Sequence, residues 1–424
     1  MKIKTKTMPY EAVEKITKPA HKRPKKPNIF FRSLIRILSV PELIATHFKW
    51  EGDWKQRAGK GPYFILMNHS AFIDLKIAYK IFYPMPFCTV CTSDGFVGKR
   101  WLMRQIGCIP TNKFVTDLTL VTDMLHTVNK LKLSILMYPE ASYSFDGTAT
   151  PLPKGLGKML KKMKIPVITV LTEGAFLHNP LYNCLKQRKT NVTAKVECLL
   201  TREEIKEKSV EEIDKILNSA FSFDNFAKQK EKNVHINEDF RADGLERIMY
   251  KCACCKSETS MEGKGTKITC SECGKSYEMT TLGEIKAENG DTEFSHIPDW
   301  YNWERECVKE EINNGKYLLD TEVDIAIMAD YKAIYRVGSG RLIHNSDGFT
   351  LTGCDGKLNY KHPVNASYGL YADYYWYEIG DVICIGDKQC LYYCFPKGKC
   401  NVAKTRIAAE EMYKLINKQK VKES

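Results

Sequence analysis

The chain has 424 residues, a length that favours two or three domains. Its hydrophobic content of 43% and aromatic content of 11% are those of a globular protein and argue against wholesale disorder. The formal net charge is +13, and residues 1–28 hold nine Lys or Arg residues against two Glu residues. Such a basic tail is typical of a segment that binds phosphate groups on anionic lipids or nucleic acid, although a solvated, flexible terminus has the same composition.

Neither a secretory signal nor a membrane-spanning helix is predicted. The basic N-terminus is not followed by an uninterrupted apolar stretch and a small-residue cleavage site. The best apolar run, residues 29–44, is interrupted by charged residues and a proline. We therefore expect a cytoplasmic protein, in which 16 cysteines indicate metal ligation and buried thiols more than disulfides.

The first regular elements are predicted directly after the basic tail. Apolar residues recur at helical spacing over residues 30–38, which predicts an amphipathic helix. A second short helix is expected over residues 42–48, because Pro41 suits a first helical turn. The two helices would form a hairpin with one apolar face.

Apolar, strand-like runs then alternate with helical stretches, which predicts an α/β domain. The expected strands are residues 63–67, 133–138, 167–171 and 192–200. The expected helices begin near residue 70 and span about 155–163 and 203–217.

The second half of the chain changes character twice. A short cysteine-rich module is followed by a predicted connecting helix, and then by closely spaced short strands between residues 322 and 395 with a final helix from residue 402. Six or seven antiparallel strands and a helix suit a small barrel resembling pleckstrin-homology or GRAM domains. The expected division is a basic tail at 1–28, the α/β domain at 29–225, a polar linker at 226–248, the cysteine module at 249–285, a helical linker at 286–318 and the β-rich domain at 319–424.

A histidine and an aspartate follow the strand at residues 63–67. His69 and Asp74 are five residues apart, so within one helix their side chains would point about 140° apart. They can meet if Ser70 is the N-cap, with His69 just before the helix and Asp74 in its first turns. A carboxylate there fixes the imidazole tautomer and leaves the other nitrogen as a general base. Alone, the pair is equally typical of a hydrogen bond at a helix N-terminus.

Four blocks over roughly residues 29–217 resemble, in order, those of the glycerol-phosphate and lysophosphatidate acyltransferase family. The first is N-H-x4-D at Asn68, His69 and Asp74, and the others are GCIPTNK at 107–113, YPEASYS at 138–144 and IPVITV at 165–170. The resemblance implies that an acyl group moves from acyl-CoA or acyl carrier protein to the hydroxyl of lysophosphatidate or a related lysophospholipid. It implies His69 as the base, with no covalent acyl-enzyme. The basic tail and the amphipathic helix over residues 30–38 separately predict reversible binding to the inner face of an anionic membrane.

The same resemblance implies substrate contacts at Asn68, Lys113, Glu140 and Lys154. Three departures weaken the family's phosphate clamp. Lys113 and Tyr143 stand where the family usually has Arg, and Ala141 stands where it usually has Gly. The acceptor is thus left open between lysophosphatidate, another lysophospholipid and a different alcohol. Lys99, Arg100 and Arg104 offer compensating charge or form an ordinary exposed cluster.

A zinc-ribbon motif lies in the cysteine module. Cys252 and Cys255 form one C-x2-C pair, and Cys270 and Cys273 form a second pair 14 residues later. This spacing places four thiolates around one zinc ion, and four sulfur ligands leave no open position, so the predicted site is structural. Cys254 is surplus to the set.

Two competing functions remain at this stage. The altered third block is compatible with a degenerate acyltransferase fold retained as a lipid-binding or scaffold protein, although His69, Asp74 and Glu140 are all present. The ribbon and basic tail are compatible with nucleic-acid binding. Four glutamates within the ribbon would repel phosphate and argue against that function: Glu258, Glu262, Glu272 and Glu278.

Overall fold

The computed structural model describes residues 2–115, 117–153, 155–398 and 400–423. The chain opens with a short strand and three helices, which are β1 (Thr5–Thr7), α1 (Tyr10–Glu14), α2 (Ile29–Leu38) and α3 (Val40–Ala45). The predicted hairpin segment thus contains α2 and α3, and α3 starts and ends earlier than expected. No helix within the described ranges is long and apolar enough to cross a bilayer.

A seven-stranded mixed sheet follows, as the predicted α/β alternation requires. Its strands are β2 (Lys49–Glu51), β3 (Phe64–Met67), β4 (Phe87–Thr92), β5 (Cys108–Thr111), β6 (Ser134–Met137), β7 (Val167–Glu173) and β8 (Thr193–Leu200). They lie in the order β2-β8-β7-β3-β6-β4-β5, and every neighbouring pair is parallel except β7 and β8. The helices between and after them are α4 (Trp54–Ala58), α5 (Asp74–Phe82), α6 (Arg100–Gln105), α7 (Leu118–Asn129), α8 (Leu156–Met163), α9 (Ala175–His178), α10 (Arg202–Glu207) and α11 (Val210–Ala220).

The core of this part lies on both faces of the sheet. In β3, Ile65 and Met67 pack into the hydrophobic cluster on one face, while Phe64 and Leu66 pack into the cluster on the other. All four side chains are fully buried, as expected of a central parallel strand covered by helices on both sides. The loop at residues 68–73 therefore begins at the end of a fully buried central strand.

Two helical boundaries differ from the prediction. The helix expected from about Ser70 begins at Asp74, with Ile73 as its N-cap, so Ser70 is not the cap. The closing helix expected over residues 203–217 is divided into α10 and α11. The division has a local cause, because Thr201 and Ser209 each form a capping box that starts a new helix.

A small antiparallel sheet contains the cysteine pairs. Its strands are β9 (Met261–Lys264), β10 (Lys267–Cys270), β11 (Ser276–Met279) and β12 (Ile285–Ala287), in the order β12-β11-β10-β9. Helix α12 (Asn225–Glu231) precedes it and helix α13 (Ile297–Asn313) follows it. The segment predicted as a polar linker, residues 226–248, is packed against the rest of the chain through buried apolar residues such as Phe226, Leu245 and Ile248.

The C-terminal part is a separate antiparallel β domain, as predicted. Its strands are β13 (Leu319–Met328), β14 (Ile334–Asn345), β15 (Gly348–Gly353), β16 (Leu358–Pro363), β17 (Tyr371–Trp376), β18 (Gly380–Gly386) and β19 (Leu391–Pro396), followed by helix α14 (Val402–Glu423). The strand order is β16-β15-β14-β13-β19-β18-β17, and the N-terminal β1 adds in parallel to β14.

The β domain contacts the mixed sheet near its β4–β5 edge. Tyr371 donates a hydrogen bond from its hydroxyl to the buried carboxylate of Asp94, at 2.6 Å. The Gly98 N–H donates to the carbonyl of Tyr331, and the Arg100 guanidinium lies 5.0 Å from the Tyr331 ring centroid. These contacts join the β domain to the segment between β4 and β5.

The N-terminal segment forms a strap between the two sheets. Beyond its β1–β14 pairing, it docks on the β domain through an ion pair between Glu11 and Lys357. Arg100 and Arg104 donate to strap carbonyls, so these two predicted compensating charges hold the strap. Gly107 permits the close approach, because a Cβ there would lie 2.6 Å from Pro27.

Candidate active site

His69 and Asp74 meet at the carboxyl end of β3. The His69 Nδ1 and Asp74 Oδ2 atoms are 3.0 Å apart, and Asp74 is completely buried. The same Oδ2 accepts the backbone N–H groups of Ser70 at 2.8 Å and Ala71 at 3.1 Å. The pair therefore meets as predicted, but the loop is fixed by the first carboxylate of α5 rather than by a Ser70 cap.

Two tyrosines enclose the imidazole of His69. The Tyr138 ring stacks on it at a centroid distance of 4.0 Å, and the Tyr143 ring lies 4.3 Å away on a tilted plane. Burial lowers the pKa of His69, Asp74 opposes that shift, and the Lys113 ammonium adds to it. The imidazole is consequently neutral near pH 7, which is the form that accepts a proton.

Glu140 fixes the backbone of His69. Its Oε2 accepts the His69 N–H at 2.9 Å, and its Oε1 accepts the Thr150 N–H at 3.0 Å. The side chain is buried, and burial raises the pKa of Glu140 to about 7 despite these hydrogen bonds. Both carboxylate oxygens are directed at protein groups.

Asn68 joins two central strands at their ends. Its Oδ1 accepts the Thr172 N–H at 2.8 Å, and its Nδ2 donates to the Thr172 carbonyl at 3.1 Å. The amide thus links the end of β3 to β7 and is itself buried. Asn68 and Glu140, predicted to contact substrate, are seen here to hold the loop that carries His69.

Lys113 lies close to both His69 and the β domain. Its Nζ is 4.2 Å from the centroid of the Tyr371 ring. The ammonium lowers the pKa of His69 and acts in the same direction on the pKa of Asp373.

Ala141, which replaces a usual Gly, has a φ of 60°, a conformation that glycine adopts more easily. Lys154, the fourth predicted substrate contact, is outside the described residues.

The residues through which the β domain approaches this site were not predicted from sequence. Asp94 and Tyr371, which are bonded to each other, are 277 positions apart in the chain. Asp373 and Tyr377 belong to the same stretch as Tyr371 and are half-buried. Their tyrosine-rich pattern is that of an ordinary strand, so only a tertiary contact reveals them.

The four cysteines of the ribbon form one cluster. The Sγ atoms of Cys252, Cys255, Cys270 and Cys273 all lie within 4.8 Å of one another. Cys254 is exposed and is not a member of the cluster, as its surplus position predicted. Burial opposes ionisation of Cys270, but hydrogen bonds from Ser260 and from nearby backbone N–H groups lower its pKa to about 6. Four thiols at this spacing fit a tetrahedral metal ion.

A comparison with known proteins matches the part of the chain that contains these site residues. Residues 47–173 match the acyltransferase family model. This range includes His69, Asp74, Lys113 and Glu140, while the ribbon and the C-terminal β domain lie outside it. The match thus covers the part of the chain that carries the candidate site.

Two relatives are similar to part of the chain. The 1-acyl-sn-glycerol-3-phosphate acyltransferase of Saccharomyces cerevisiae is 27% identical over 138 residues, which cover 30% of this chain and 44% of the relative. The chain thus spans less than half the length of this relative. The crystal structure of the 1-acyl-sn-glycerophosphate acyltransferase of Thermotoga maritima aligns at 18% identity and a TM-score of 0.35, covering 45% of this chain and 77% of that one.

Proposed function

We propose that the protein transfers a fatty acyl group from acyl-CoA or acyl carrier protein to the hydroxyl of a glycerol-phosphate-type lysolipid. The observation that carries this proposal is the His69 imidazole held by Asp74 within a matched acyltransferase stretch. Purified protein offered mixed lysolipids and both acyl donors should form a diacyl product detectable by mass spectrometry. No product from folded, metal-replete protein with either donor would contradict the proposal.

His69 is the proposed general base. Since Nδ1 faces Asp74, Nε2 is the nitrogen left to take the proton from the acceptor hydroxyl. The alkoxide oxygen attacks the thioester carbonyl, the C–S bond breaks, and the His69 proton passes to the departing thiolate. No group on the protein is acylated. A positioned base of this kind contributes about a hundredfold to ten-thousandfold.

The roles of the neighbouring polar groups follow from their partners. Lys113 is proposed to contact the acceptor phosphate, because it is the cation that acts electrostatically on His69. Lys154 remains proposed as a second substrate contact on the resemblance alone. Asn68 and Glu140 are proposed to act on substrate indirectly, by holding the backbone on which His69 and its strand lie.

Glu140→Gln should destabilise the fold as well as slow the reaction. The substitution replaces one accepting oxygen with an amide that cannot accept from the His69 or Thr150 N–H, so one buried donor loses its partner. We expect the free energy of unfolding in urea to fall by about 1–3 kcal/mol. The exposed Glu203→Gln is the matched control and should change neither stability nor turnover. Unchanged stability of Glu140→Gln would show that Glu140 does not hold the loop.

We propose that one zinc ion is held by Cys252, Cys255, Cys270 and Cys273 and has a structural role. The four thiols supply every position of a tetrahedral site, so none is left for substrate. Zinc would cross-link the two turns that carry the cysteine pairs. This would stabilise the module, because the small sheet around these turns has little hydrophobic core of its own.

We propose that the protein binds reversibly, from the cytoplasmic side, to an anionic membrane surface through α2 and α3. Five large apolar side chains on these helices are each more than half exposed: Ile29, Phe30, Ile37, Leu38 and Ile44. Arg32 lies beneath them, where its Nη1 donates to the Pro84 carbonyl at 2.9 Å. Phe72, three residues after His69, is also half exposed, so the apolar face reaches the loop of the site.

Acidic substitutions on this face should reduce membrane binding. We expect Ile37→Asp and Ile44→Asp each to lower partitioning onto vesicles containing anionic lipid by about tenfold or more, with further weakening by salt. Leu318→Asp is the matched control, because Leu318 is comparably exposed but lies before β13. Vesicle flotation makes the measurement. Equal flotation of all three variants and the unmodified protein would exclude α2 and α3 as the docking face.

We propose that the division into domains expected from the sequence is also the functional division of the chain. Residues 29–225 would carry acyl transfer, residues 249–285 the zinc ion, and residues 319–424 a pleckstrin-homology-like or GRAM-like module. The seven antiparallel strands and final helix of the last part support that resemblance. Residues 1–28 act in this scheme as the strap that connects the β domain to the membrane helices.

A further inference from the structure

A cavity of about 180 Å³ lies where the loop over residues 145–151 meets helices α13 and α14. The loop directly follows the third sequence block, at residues 138–144. Pro151 of the loop and Asn302 of α13 line the cavity and are exposed, so the cavity opens to solvent. One water molecule needs roughly 10–15 Å³, and the cavity therefore has room for a small ligand.

Arg406 of α14 places a buried guanidinium in the wall of this cavity. The residue is 4% exposed, and its Cζ lies 4.4 Å from the centroid of the Phe145 ring. Its Nε donates to Glu410 at 3.1 Å. The terminal nitrogens Nη1 and Nη2 have no hydrogen-bond partner among the described residues, and Nη1 is fully buried. Unpaired N–H groups of a buried cation are costly, so an acceptor bound in the cavity would lower the free energy of this arrangement.

The carboxylates in the cavity wall, Glu410 and Asp146, already accept hydrogen bonds at both of their oxygens. One oxygen of Glu410 accepts from Arg305 Nη1 at 2.8 Å, and the other accepts from Arg406 Nε. Both oxygens of Asp146 lie 2.9 Å from the Thr148 hydroxyl, and one of them also accepts the Thr148 N–H. The acceptors of the wall are therefore in use, whereas some of its donors are free.

Arg305 and Lys414 bring two further cations to the cavity. Arg305 donates through Nη1 to Glu410 and Glu411, at 2.8 Å each, and its Nε and Nη2 have no partner in the described part of the chain. Lys414 is exposed and also donates to Glu411, which lies outside the lining. Burial raises the pKa of Asp146, which favours its uncharged form. The surplus of donors therefore suits a ligand made of oxygen acceptors, and guanidinium groups match phosphate oxygens in geometry and charge.

The wall of the cavity is joined to the candidate active site by two hydrogen bonds. Thr150 lines the cavity, and its N–H donates to Glu140 Oε1 at 3.0 Å. The other oxygen of Glu140 accepts the His69 N–H at 2.9 Å. A ligand that holds the loop in place would thus support the backbone of His69 without contacting the imidazole.

We propose that this cavity binds one phosphate group, held by Arg305 and Arg406, at a site distinct from the His69 and Asp74 pair. The group is either a free phosphate ion or the 3′-phosphate of a coenzyme A molecule. The inference does not depend on acyl transfer, because occupancy of the cavity is measured without turnover.

The test measures binding to the full-length, metal-replete protein in a buffer without phosphate. Inorganic phosphate is titrated by calorimetry, and the midpoint of thermal unfolding is followed in parallel, with sodium chloride at equal ionic strength as the reference. Phosphate should bind saturably and raise the midpoint. Arg406→Lys keeps a cation that can reach Glu410 but removes the planar set of donors, so the affinity should fall by about tenfold or more.

A second variant and two controls make the result specific. Arg305→Lys, at a half-buried position, should weaken binding in the same way and does not depend on a substitution at the buried Arg406. Arg341→Lys is the matched control, because Arg341 is exposed on β14, and it should bind phosphate as the unmodified protein does. Lys113→Met should also retain binding. Circular dichroism confirms that each variant is folded.

Coenzyme A and dephospho-coenzyme A, which lacks the 3′-phosphate, distinguish the two sources. If the coenzyme supplies the group, it should bind more tightly than its dephospho form, and Arg406→Lys should remove the difference. If a free ion is the ligand, the two coenzymes should bind equally, and only inorganic phosphate should lose affinity in Arg406→Lys. The inference is overturned if neither phosphate nor coenzyme A has a saturable effect beyond that of chloride, or if both arginine variants bind as the unmodified protein does. Loss of phosphate binding in Lys113→Met alone would place the ion at the active site and overturn it as well.

Discussion

His69→Ala is expected to remove nearly all acyl transfer, and Asp74→Asn is expected to lower its rate by about a hundredfold or more. Without the imidazole the acceptor hydroxyl would lose the base proposed to take its proton. Asp74→Asn keeps the shape of the side chain but can present an amide N–H to the imidazole, which favours the wrong tautomer. It also weakens the acceptor for the Ser70 and Ala71 N–H groups, so the loop loosens.

The double variant distinguishes a joint unit from two independent effects. If the two residues act together, His69→Ala with Asp74→Asn should be no slower than His69→Ala alone, because groups that act as a unit are not additive. Thioester consumption by folded, metal-replete protein provides the rates. The exposed His235→Ala serves as the control and should retain full activity. If the losses of rate multiply in the double variant, Asp74 contributes to the reaction independently of His69.

Loss of the zinc ligands is expected to have the largest effect on stability. Cys252→Ser and Cys270→Ser should each reduce bound zinc from one ion per chain to nearly none and unfold the ribbon, because apparent zinc-binding energies of small modules are about 10–16 kcal/mol. The loss of stability should extend beyond the ribbon, because Tyr277 of β11 packs against Trp300 of α13 with their ring centroids 5.1 Å apart. Thermal unfolding should therefore report a lower midpoint for the whole C-terminal half.

The ribbon itself provides the matched control. Cys254→Ser removes an exposed thiol that does not belong to the four-cysteine cluster, so it should keep one zinc ion and the full melting temperature. Elemental analysis of protein purified without added metal gives the stoichiometry. A value near zero that stays near zero after zinc is supplied would contradict the metal site.

Local sequence patterns were sufficient to predict the elements whose structure depends on neighbouring residues in the chain. The strands β3 and β6 were predicted because each is a mainly apolar run, with four apolar residues in β3 and three in β6, and central parallel strands require such runs. The cysteine spacing likewise predicted a cluster that the structure contains. The pairing of His69 with Asp74 was predicted correctly, although through a Ser70 cap that the structure does not have.

The features of the fold that were not predicted from the sequence depend on long-range packing. The strap reaches β14 from the N-terminus, and nothing in its basic composition indicates a strand that pairs more than 300 residues away, at Thr5 with Ile334. Residues 226–248 begin with a polar, Lys-containing stretch, and their buried apolar residues follow no regular spacing that would predict packing. The hydrogen bond between Tyr371 and Asp94 depends on how two sheets are joined, which no periodicity encodes.

The central claim is direct, base-assisted acyl transfer by His69. It is tested most directly by following an isotope-labelled acyl chain from the thioester donor into the lysophospholipid acceptor while the intact mass of the protein is recorded. The account predicts that the unmodified protein moves the label to the acceptor, that the label is never found on the protein, and that His69→Ala transfers none. Label that accumulates on the protein, or transfer by His69→Ala at the unmodified rate, would contradict it.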